Sequence, residues 1–247
     1  MPNFDALRTA SLGALSYICR PKELKPCFLF QLTSSLDCIA GSGSASGTGN
    51  MRYLSSVKPW PQLYMINSTG YGCPYLSVST TEEAGKEWSL EFMCNWIENA
   101  STLAVSFANI EFARSKTSFV RYSINGTSAT PSESHTYSAT SHIALVYKGG
   151  TLRIFDGGTL VDVRTASLPN NPKLMAIQNE TSNAGVLVSN LRLVPVALGT
   201  DTTYPVPTAL YTGQEPLNGG GVILPRSSKF TPRRRRIAPV AVMGGRA

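Results

Sequence analysis

The clearest alternation of apolar and polar positions lies between Trp88 and Pro195. In its second half, apolar residues alternate with small or polar ones in three short runs, and glycine pairs separate the runs. A two-residue period is that of a pleated strand with one or both faces buried. Adjacent glycines supply the positive φ that tight hairpin turns require. The stretch 141–163 therefore predicts a three-stranded β-meander that turns at Gly149-Gly150 and at Gly157-Gly158.

The run from Trp88 to Trp96 predicts the best single strand of the chain. Its five alternate apolar residues point one way: Trp88, Leu90, Phe92, Cys94 and Trp96. Five such residues on one face predict a strand in the middle of a sheet. The same alternation places Glu87 and Glu91 on the opposite face, which we expect to be exposed to solvent.

The remaining strands are shorter, and about twelve are predicted in all, enough for two packed sheets. The predicted runs outside the two regions above are 26–32, 51–54, 75–78, 103–109, 110–114, 119–124, 173–177 and 186–194. Asn125-Gly126 is a strong type I′ turn signal after the sixth of these runs. The stretch 41–49 is rich in Gly and Ser and lacks the spacing of a phosphate-binding loop, so we expect a plain surface loop there.

The stretch 57–74 is rich in Pro, Gly and aromatic residues, which predicts an irregular connection. Trp60, Tyr64 and Tyr71 within it have two open interpretations. Exposed aromatic rings on a rigid scaffold can stack on the apolar face of a sugar ring, whereas the same rings can equally pack against the domain or line a protein interface.

Three separated motifs resemble the laminin-G-like, concanavalin-A-like jelly-roll family. They are the strand Lys86–Trp96, the meander that starts at His142, and the run Gly185–Pro195, which is similar to the closing strand of that family. The run 26–32, with the Gly/Ser-rich segment after it, is similar to the family's opening. The resemblance implies an all-β fold, an antiparallel two-sheet jelly-roll sandwich over residues 26–198, and a structural role for His142.

Two flanking arms complete the predicted domain organisation, one at residues 1–25 and one at residues 199–247. The second contains six prolines and a Gly219-Gly-Gly221 run, and it shows no sustained periodicity, so it predicts an extended arm without a core of its own. Its apolar residues, among them Tyr204, Leu210 and Tyr211, are too numerous for a solvated linker. We expect that arm to become ordered on another subunit.

Positive charge is concentrated in the second arm. The formal net charge is +7, of which residues 199–247 contribute +5, because they hold seven basic residues and two acidic ones. Arg233, Arg234, Arg235 and Arg236 are adjacent. The run can dock into acidic pockets of a partner through the planar guanidinium, contact nucleic-acid phosphates, or remain a solvated tail.

Candidate catalytic and metal-binding chemistry is sparse. The five cysteines lack the spacing of a metal site or a disulfide framework and predict thiols, although a Cys27–Cys38 or Cys38–Cys73 bridge stays open. The paired acids of sandwich glucanases, Glu-x-Asp-x-x-Glu, do not occur. Asp37, Asp156 and Asp162 match no metal-ligand motif. We therefore predict no enzyme activity, no metal and no cofactor. No run approaches the roughly 18 apolar residues of a membrane span.

Isolated laminin-G-like domains with arms at both ends resemble those of tailed-bacteriophage virions. The resemblance implies a non-enzymatic structural protein of a virion, a tail, fibre or head-decoration component that is made in the host cytoplasm. It would be anchored to other virion proteins by its arms as a homo-oligomer, and would have a role in binding host-surface glycan. The alternatives are a free carbohydrate-binding, lectin-like module and a sandwich-fold glycan hydrolase.

Overall fold

The computed structural model describes residues 25–67, 73–97, 101–131, 135–181 and 184–213. These residues form sixteen strands and no helix. The strands are β1 Phe28–Phe30, β2 Ala40–Gly41, β3 Gly43–Thr48, β4 Met51–Leu54, β5 Gln62–Asn67, β6 Tyr75–Thr80, β7 Trp88–Trp96, β8 Thr102–Phe107, β9 Ile110–Ser115, β10 Phe119–Ile124, β11 Thr127–Ser128, β12 Thr140–Lys148, β13 Thr151–Asp156, β14 Thr159–Thr165, β15 Leu174–Asn179 and β16 Ala184–Val194.

Two antiparallel sheets pack face to face, which confirms the predicted all-β jelly-roll sandwich. One sheet has nine strands in the order β14-β13-β12-β7-β16-β1-β2, and β5 and β4 extend it beside β16. The other has seven strands in the order β11-β10-β9-β8-β15-β6-β3. Every pairing is antiparallel. We call them the nine-stranded and the seven-stranded sheet.

The core between the sheets comes from the large alternate side chains of the central strands. Trp88 of β7 is fully buried and meets Phe107 of β8 edge to face, with ring centroids 5.1 Å apart. Phe92 and Phe112 are buried in the same cluster. Burying a side chain of this size contributes about 1.5–3 kcal/mol. The strand pattern of Trp88–Trp96 is thus confirmed, since β7 lies between β12 and β16 in the middle of its sheet.

The predicted turns are confirmed where Gly or Asn allows positive φ. Asn125 and Gly126 have φ values of 51° and 75°, and Gly149 and Gly150 have 57° and 79°. The meander 141–163 forms as β12, β13 and β14. Positive φ at both central residues gives the turn a twist that matches the flanking strands.

The prediction of a surface loop at 41–49 is wrong, because residues 43–48 form edge strand β3 beside β6. The glycines of β3 are needed on its inner side. A Cβ at Gly43 would lie 2.6 Å from Cβ of Phe28, and one at Gly47 would overlap the Met51 side chain. These glycines, which are typical of a loop, are therefore required here because an edge strand packs closely on the side chains beneath it.

The prediction of an irregular connection at 57–74 is wrong for its middle part. Residues 62–67 form strand β5, which pairs with both β16 and β4. Leu63 and Met65 of β5 are buried in the main core. The prolines that suggested irregular structure, Pro59 and Pro61, lie just before this strand, where no ladder hydrogen bond is lost.

Candidate functional site

The outer face of the seven-stranded sheet carries small polar side chains in register. Strand pairing places six residues side by side across the sheet, four serines together with one alanine and one glutamate, and we call them the serine row: Ser46, Ser77, Ala176, Ser106, Glu111 and Ser123. Neighbouring strands lie about 4.8 Å apart, so the row spans roughly 24 Å. Hydroxyl groups and one carboxylate thus line a long, shallow surface.

A second row runs parallel to the first and carries larger groups at its two ends. Tyr75 and Gln178 face each other across β6 and β15, and Arg121 of β10 lies at the other end, opposite Ala113 of β9. Arg121 donates to Glu180 over 2.6 Å. That ion pair crosses the two intervening strands, which explains why outward-pointing Ala113 is only 1% exposed.

These two rows form what we call the open face. Within the part of the chain that the structure describes, its strands alternate between buried and accessible residues, as in β6 and β15. Tyr75 is 37% exposed and Leu174 is 61% exposed. Hydroxyls, an amide, a carboxylate and one accessible aromatic ring are the groups that hydrogen-bond a polyol and stack on its apolar side.

The outer face of the nine-stranded sheet is covered instead. Residues 195–213, which we call the strap, follow β16 and lie on that face. Leu198 and Tyr204 of the strap pack with Val146, Phe155 and Val194 in a second apolar cluster. Strands β7, β12 and β16 are consequently buried on both faces over nearly their whole length.

A buried network of charged and polar groups lies beneath the strap. Arg192 Nε donates to Glu91 Oε1 over 2.5 Å, and the Tyr211 hydroxyl donates to Glu91 Oε2 over 2.5 Å. His142 Nε2 lies 2.8 Å from the same Oε2. The Arg192 guanidinium also stacks on the Tyr211 ring, 3.5 Å from its centroid. One carboxylate therefore joins β7, β12, β16 and the strap.

The electrostatics of Glu91 follow from these partners. Burial alone would raise the pKa of Glu91, but the charge of Arg192 and the hydrogen bonds from His142 and Tyr211 lower that pKa to about 2. Burial likewise disfavours the charged form of Arg192, while the nearby Glu91 carboxylate raises the pKa of its guanidinium. Glu91 therefore carries its negative charge inside the protein, and the positive charge of Arg192 balances it.

A second buried ion pair joins the two sheets at one end of the sandwich. Arg114 Nε of β9 donates to Asp156 Oδ2 over 2.9 Å, and both residues are buried. The guanidinium lies between the rings of Trp96 and Tyr137, 4.0 Å and 4.8 Å from their centroids. Ser141 also donates to Asp156. All of these groups are engaged in structural contacts.

The sequence left two interpretations open for Trp60 and Tyr64, exposed rings that stack on a sugar or rings that pack, and the structure buries both residues. Trp60 is 7% exposed and donates from Nε1 to the Ser189 hydroxyl over 2.9 Å. Tyr64 is 6% exposed and lies against Gly185, whose missing side chain makes room for the ring. Packing is thus the interpretation that their positions support. Tyr71 lies outside the described residues.

The prediction that Glu91 faces solvent is wrong, since it is 0% exposed. The strand alternation is as predicted, but the strap covers the second face. The expectation that Tyr204 and Tyr211 await another subunit is also wrong, because both are buried on the chain's own sheet. His142 is buried in the same network, in a structural position. Arg233–Arg236 lie outside the described residues.

Sequence reasoning missed the open face. Its signal is the alternation of serines with apolar residues in Tyr75–Thr80 and Thr102–Phe107, which can be read from the sequence. The register that aligns these serines across strands cannot be read in this way.

Cysteines, metals and membrane spans add little to the site. Cys27, Cys38, Cys73 and Cys94 form no disulfide. The described ranges contain no cluster of three or more His, Cys, Asp or Glu residues that could hold a metal ion. They also contain no helix that is long and apolar enough to cross a membrane.

Comparisons with known proteins identify the fold. No protein-family model matches the sequence. The curated proteins give no match either. The solved binding domain of botulinum neurotoxin DC in complex with SialylT is similar, with a TM-score of 0.54, 11% identity, and 71% of this chain and 49% of that chain covered. The binding domain of botulinum neurotoxin serotype D is similar with a TM-score of 0.53 and 10% identity, and the match covers 71% of this chain and 48% of that chain.

The chain thus spans about half the length of each toxin domain that it matches. The exoplasmic/lumenal domain of VIP36 in its Ca²⁺-bound form gives a TM-score of 0.49 at 10% identity, and the match covers 78% of this chain and 97% of that chain. The likeness to the two toxin domains, at 10–11% identity, shows the fold alone, a two-sheet jelly-roll sandwich.

Proposed function

We propose that this protein is a non-enzymatic glycan-binding module, with the open face as its ligand surface. The observation that carries the proposal is the contrast between the two outer faces. One is covered by the strap, while the other presents aligned hydroxyls, the Glu111 carboxylate, the Gln178 amide and an accessible Tyr75 ring. A ligand could therefore lie on the open face without displacing any part of the described chain.

The chemistry of this face suits a neutral polyol bound weakly and over a large area. Serine hydroxyls can both donate and accept hydrogen bonds, as sugar hydroxyls do, and Tyr75 offers a ring for stacking. Among the solved structures of similar fold, one toxin binding domain is in complex with SialylT. That likeness supports the choice of glycan as the ligand class.

The proposal includes a setting, a virion protein that displays this face outward. Weak sites gain effective affinity by factors of roughly 10²–10⁴ when several are presented together, and a homo-oligomer anchored through its terminal segments would supply that multiplicity. The resemblance to the laminin-G-like domains of tailed-phage virions supports this setting. In that setting, contact of Arg233–Arg236 with nucleic acid is a separate proposal.

The test is a glycan array probed with the full chain, followed by titration of any bound glycan against two variants. Ser106→Trp places an indole in the middle of the serine row and should abolish binding. Val163→Trp adds the same indole at an exposed position of the nine-stranded sheet and should leave binding unchanged. Binding that survives Ser106→Trp would contradict the proposed face.

A free lectin-like module would use the same face and differs only in assembly. Light scattering on the full chain separates the two proposals, because a virion component should assemble and a free module should remain monomeric. A sandwich-fold hydrolase would need an accessible carboxylate as its catalytic acid. Glu91 of β7 cannot serve as that acid, because it is buried and bound to Arg192 and His142.

A further inference from the structure

The two ends of the described chain meet at one groove. Lys25, the first described residue, and Gly213, the last, both line a cavity of about 310 Å³. Pro26, Cys27, Ala40, Gly41 and Pro195 form its apolar walls, and Glu82 and Glu83 complete it. This size is at the lower end of ligand sites, which hold roughly 300–1,000 Å³. We call it the root groove.

The acidic side of the root groove is held in place by hydrogen bonds. The Thr80 hydroxyl donates to the Cys27 carbonyl over 3.0 Å and accepts from the Glu82 N–H over 3.1 Å. The Ser42 and Thr81 hydroxyls lie 2.7 Å apart. Burial, together with the nearby Glu82 charge, raises the pKa of the Cys27 thiol to about 11. Glu82 and Cys27 thus line the same groove.

Charge and chain length indicate what could occupy this groove. Its lining has two carboxylates against the single ammonium of Lys25, and Arg233–Arg236 is the most concentrated positive charge of the sequence. Ile237-Ala238-Pro239-Val240 follows directly and matches the apolar walls. Nineteen residues separate Gly213 from Arg233. A chain of that length without regular structure has an end-to-end distance of roughly 25 Å, and Gly213 is itself part of the groove.

We propose that the segment Arg233–Val240 docks in the root groove of its own chain, with arginines on Glu82 and Glu83 and the apolar residues against Pro26 and Pro195. Tethering of this kind gives an effective concentration on the order of 1 mM, so at micromolar protein the chain's own segment outcompetes that of another copy. The docked segment is an internal latch, which keeps the arginine run from other partners until a stronger acidic site or high salt displaces it. This inference does not depend on glycan binding.

The experiment is limited digestion of the full chain with an arginine-specific protease, following cleavage at Arg233–Arg236 by mass spectrometry. Glu82→Gln/Glu83→Gln should speed this cleavage about threefold to tenfold, as expected for losing two exposed ion pairs. Lys25→Gln should slow it. Glu111→Gln removes an exposed carboxylate of the open face and should leave the rate unchanged. Raising salt should abolish the difference between wild type and the double variant.

Equal cleavage rates in the wild type and the double variant would overturn the proposal. Protection that grows with protein concentration, together with dimers in light scattering, would also overturn it, because the segment would then dock on another copy. Since Glu82 and Glu83 are exposed, the double variant should fold. Failure of glycan binding would leave these rates unaffected, so the two proposals fail separately.

Discussion

The two sheets of the sandwich differ in their outer faces, although both are built from antiparallel strands. On the nine-stranded sheet, the strap adds an apolar cluster and a network around Glu91, so that β7 and β16 are buried on both sides. On the seven-stranded sheet, β6 and β15 are buried on the inner side only. One outer face is therefore part of the packed interior, and the other remains accessible to solvent.

The comparison also shows how an aperiodic segment can complete a fold. The strap has no strand of its own, yet Ser89 accepts from the Leu198 N–H over 2.8 Å, and Asn190 accepts from the Tyr211 N–H over 2.8 Å. Gln31 donates to the Tyr211 carbonyl over 2.9 Å. Side chains of the sheet thus satisfy backbone groups of the strap, in addition to the backbone hydrogen bond from the Tyr204 N–H to the Gly158 carbonyl over 2.9 Å.

The largest expected effect comes from removing the charge beneath the strap. Glu91→Gln leaves the Arg192 guanidinium buried without its carboxylate, and breaking a buried pair in this way costs about 3–5 kcal/mol. We expect the free energy of unfolding in urea to fall by that amount. Glu111→Gln on the open face should change it by less than about 0.5 kcal/mol. A Glu91→Gln loss as small as that of Glu111→Gln would contradict the network's role.

The same carboxylate should make stability depend on pH. The pKa of Glu91 is lowered from 4.5 to about 2 in the folded protein. Its stabilisation is therefore complete above about pH 4.5 and is lost as the pH falls towards 2, by roughly 3 kcal/mol in total. Urea unfolding from pH 6 to pH 2.5 should show this loss in the wild type and a smaller one in Glu91→Gln. Parallel curves for the two proteins would exclude Glu91 as the titrating group.

A smaller effect is expected when only the strap's own contact is removed. Tyr211→Phe deletes the hydroxyl that donates to Glu91, and a hydrogen bond to a charged group contributes about 1.5–3 kcal/mol. Stability should fall by that amount, and the strap should exchange its amide hydrogens faster. Tyr75→Phe is the matched change on the open face and should alter neither quantity. Equal effects of the two variants would remove the distinction between the faces.

The smallest effect concerns the aromatic residue that sequence patterns offered as a ligand contact. Trp60→Phe removes the hydrogen bond to Ser189 and should cost about 1 kcal/mol, measured by urea unfolding, while glycan binding stays unchanged. The opposite result, lost binding with unchanged stability, would return Trp60 to the candidate site.

The sequence predicts much of the fold because the central strands follow local rules. In the meander, alternation and the pair Gly149-Gly150 determine strand and turn together. By contrast, β3 was missed because Gly43 and Gly47 resemble a loop unless the Phe28 and Met51 side chains beneath them are known. Local composition cannot supply such long-range contacts.

The candidate site was harder to predict, for the same physical reason. Alternation correctly places Glu91 opposite Trp88, but whether that face meets water depends on a segment about a hundred residues later in the chain. The serine row likewise depends on register between strands that are distant in sequence, such as Ser77 and Ala176. Sequence patterns predict faces, and only the assembled fold shows which face is covered.

The asymmetry of the two outer faces can be measured by hydroxyl-radical footprinting of the full chain. Two matched pairs report it, Tyr75 against Tyr211 and Leu174 against Leu198, because each pair has one residue on the open face and one in the strap. We expect fast oxidation of Tyr75 and Leu174 and slow oxidation of their strap counterparts, Tyr211 and Leu198. Equal rates within both pairs would contradict it.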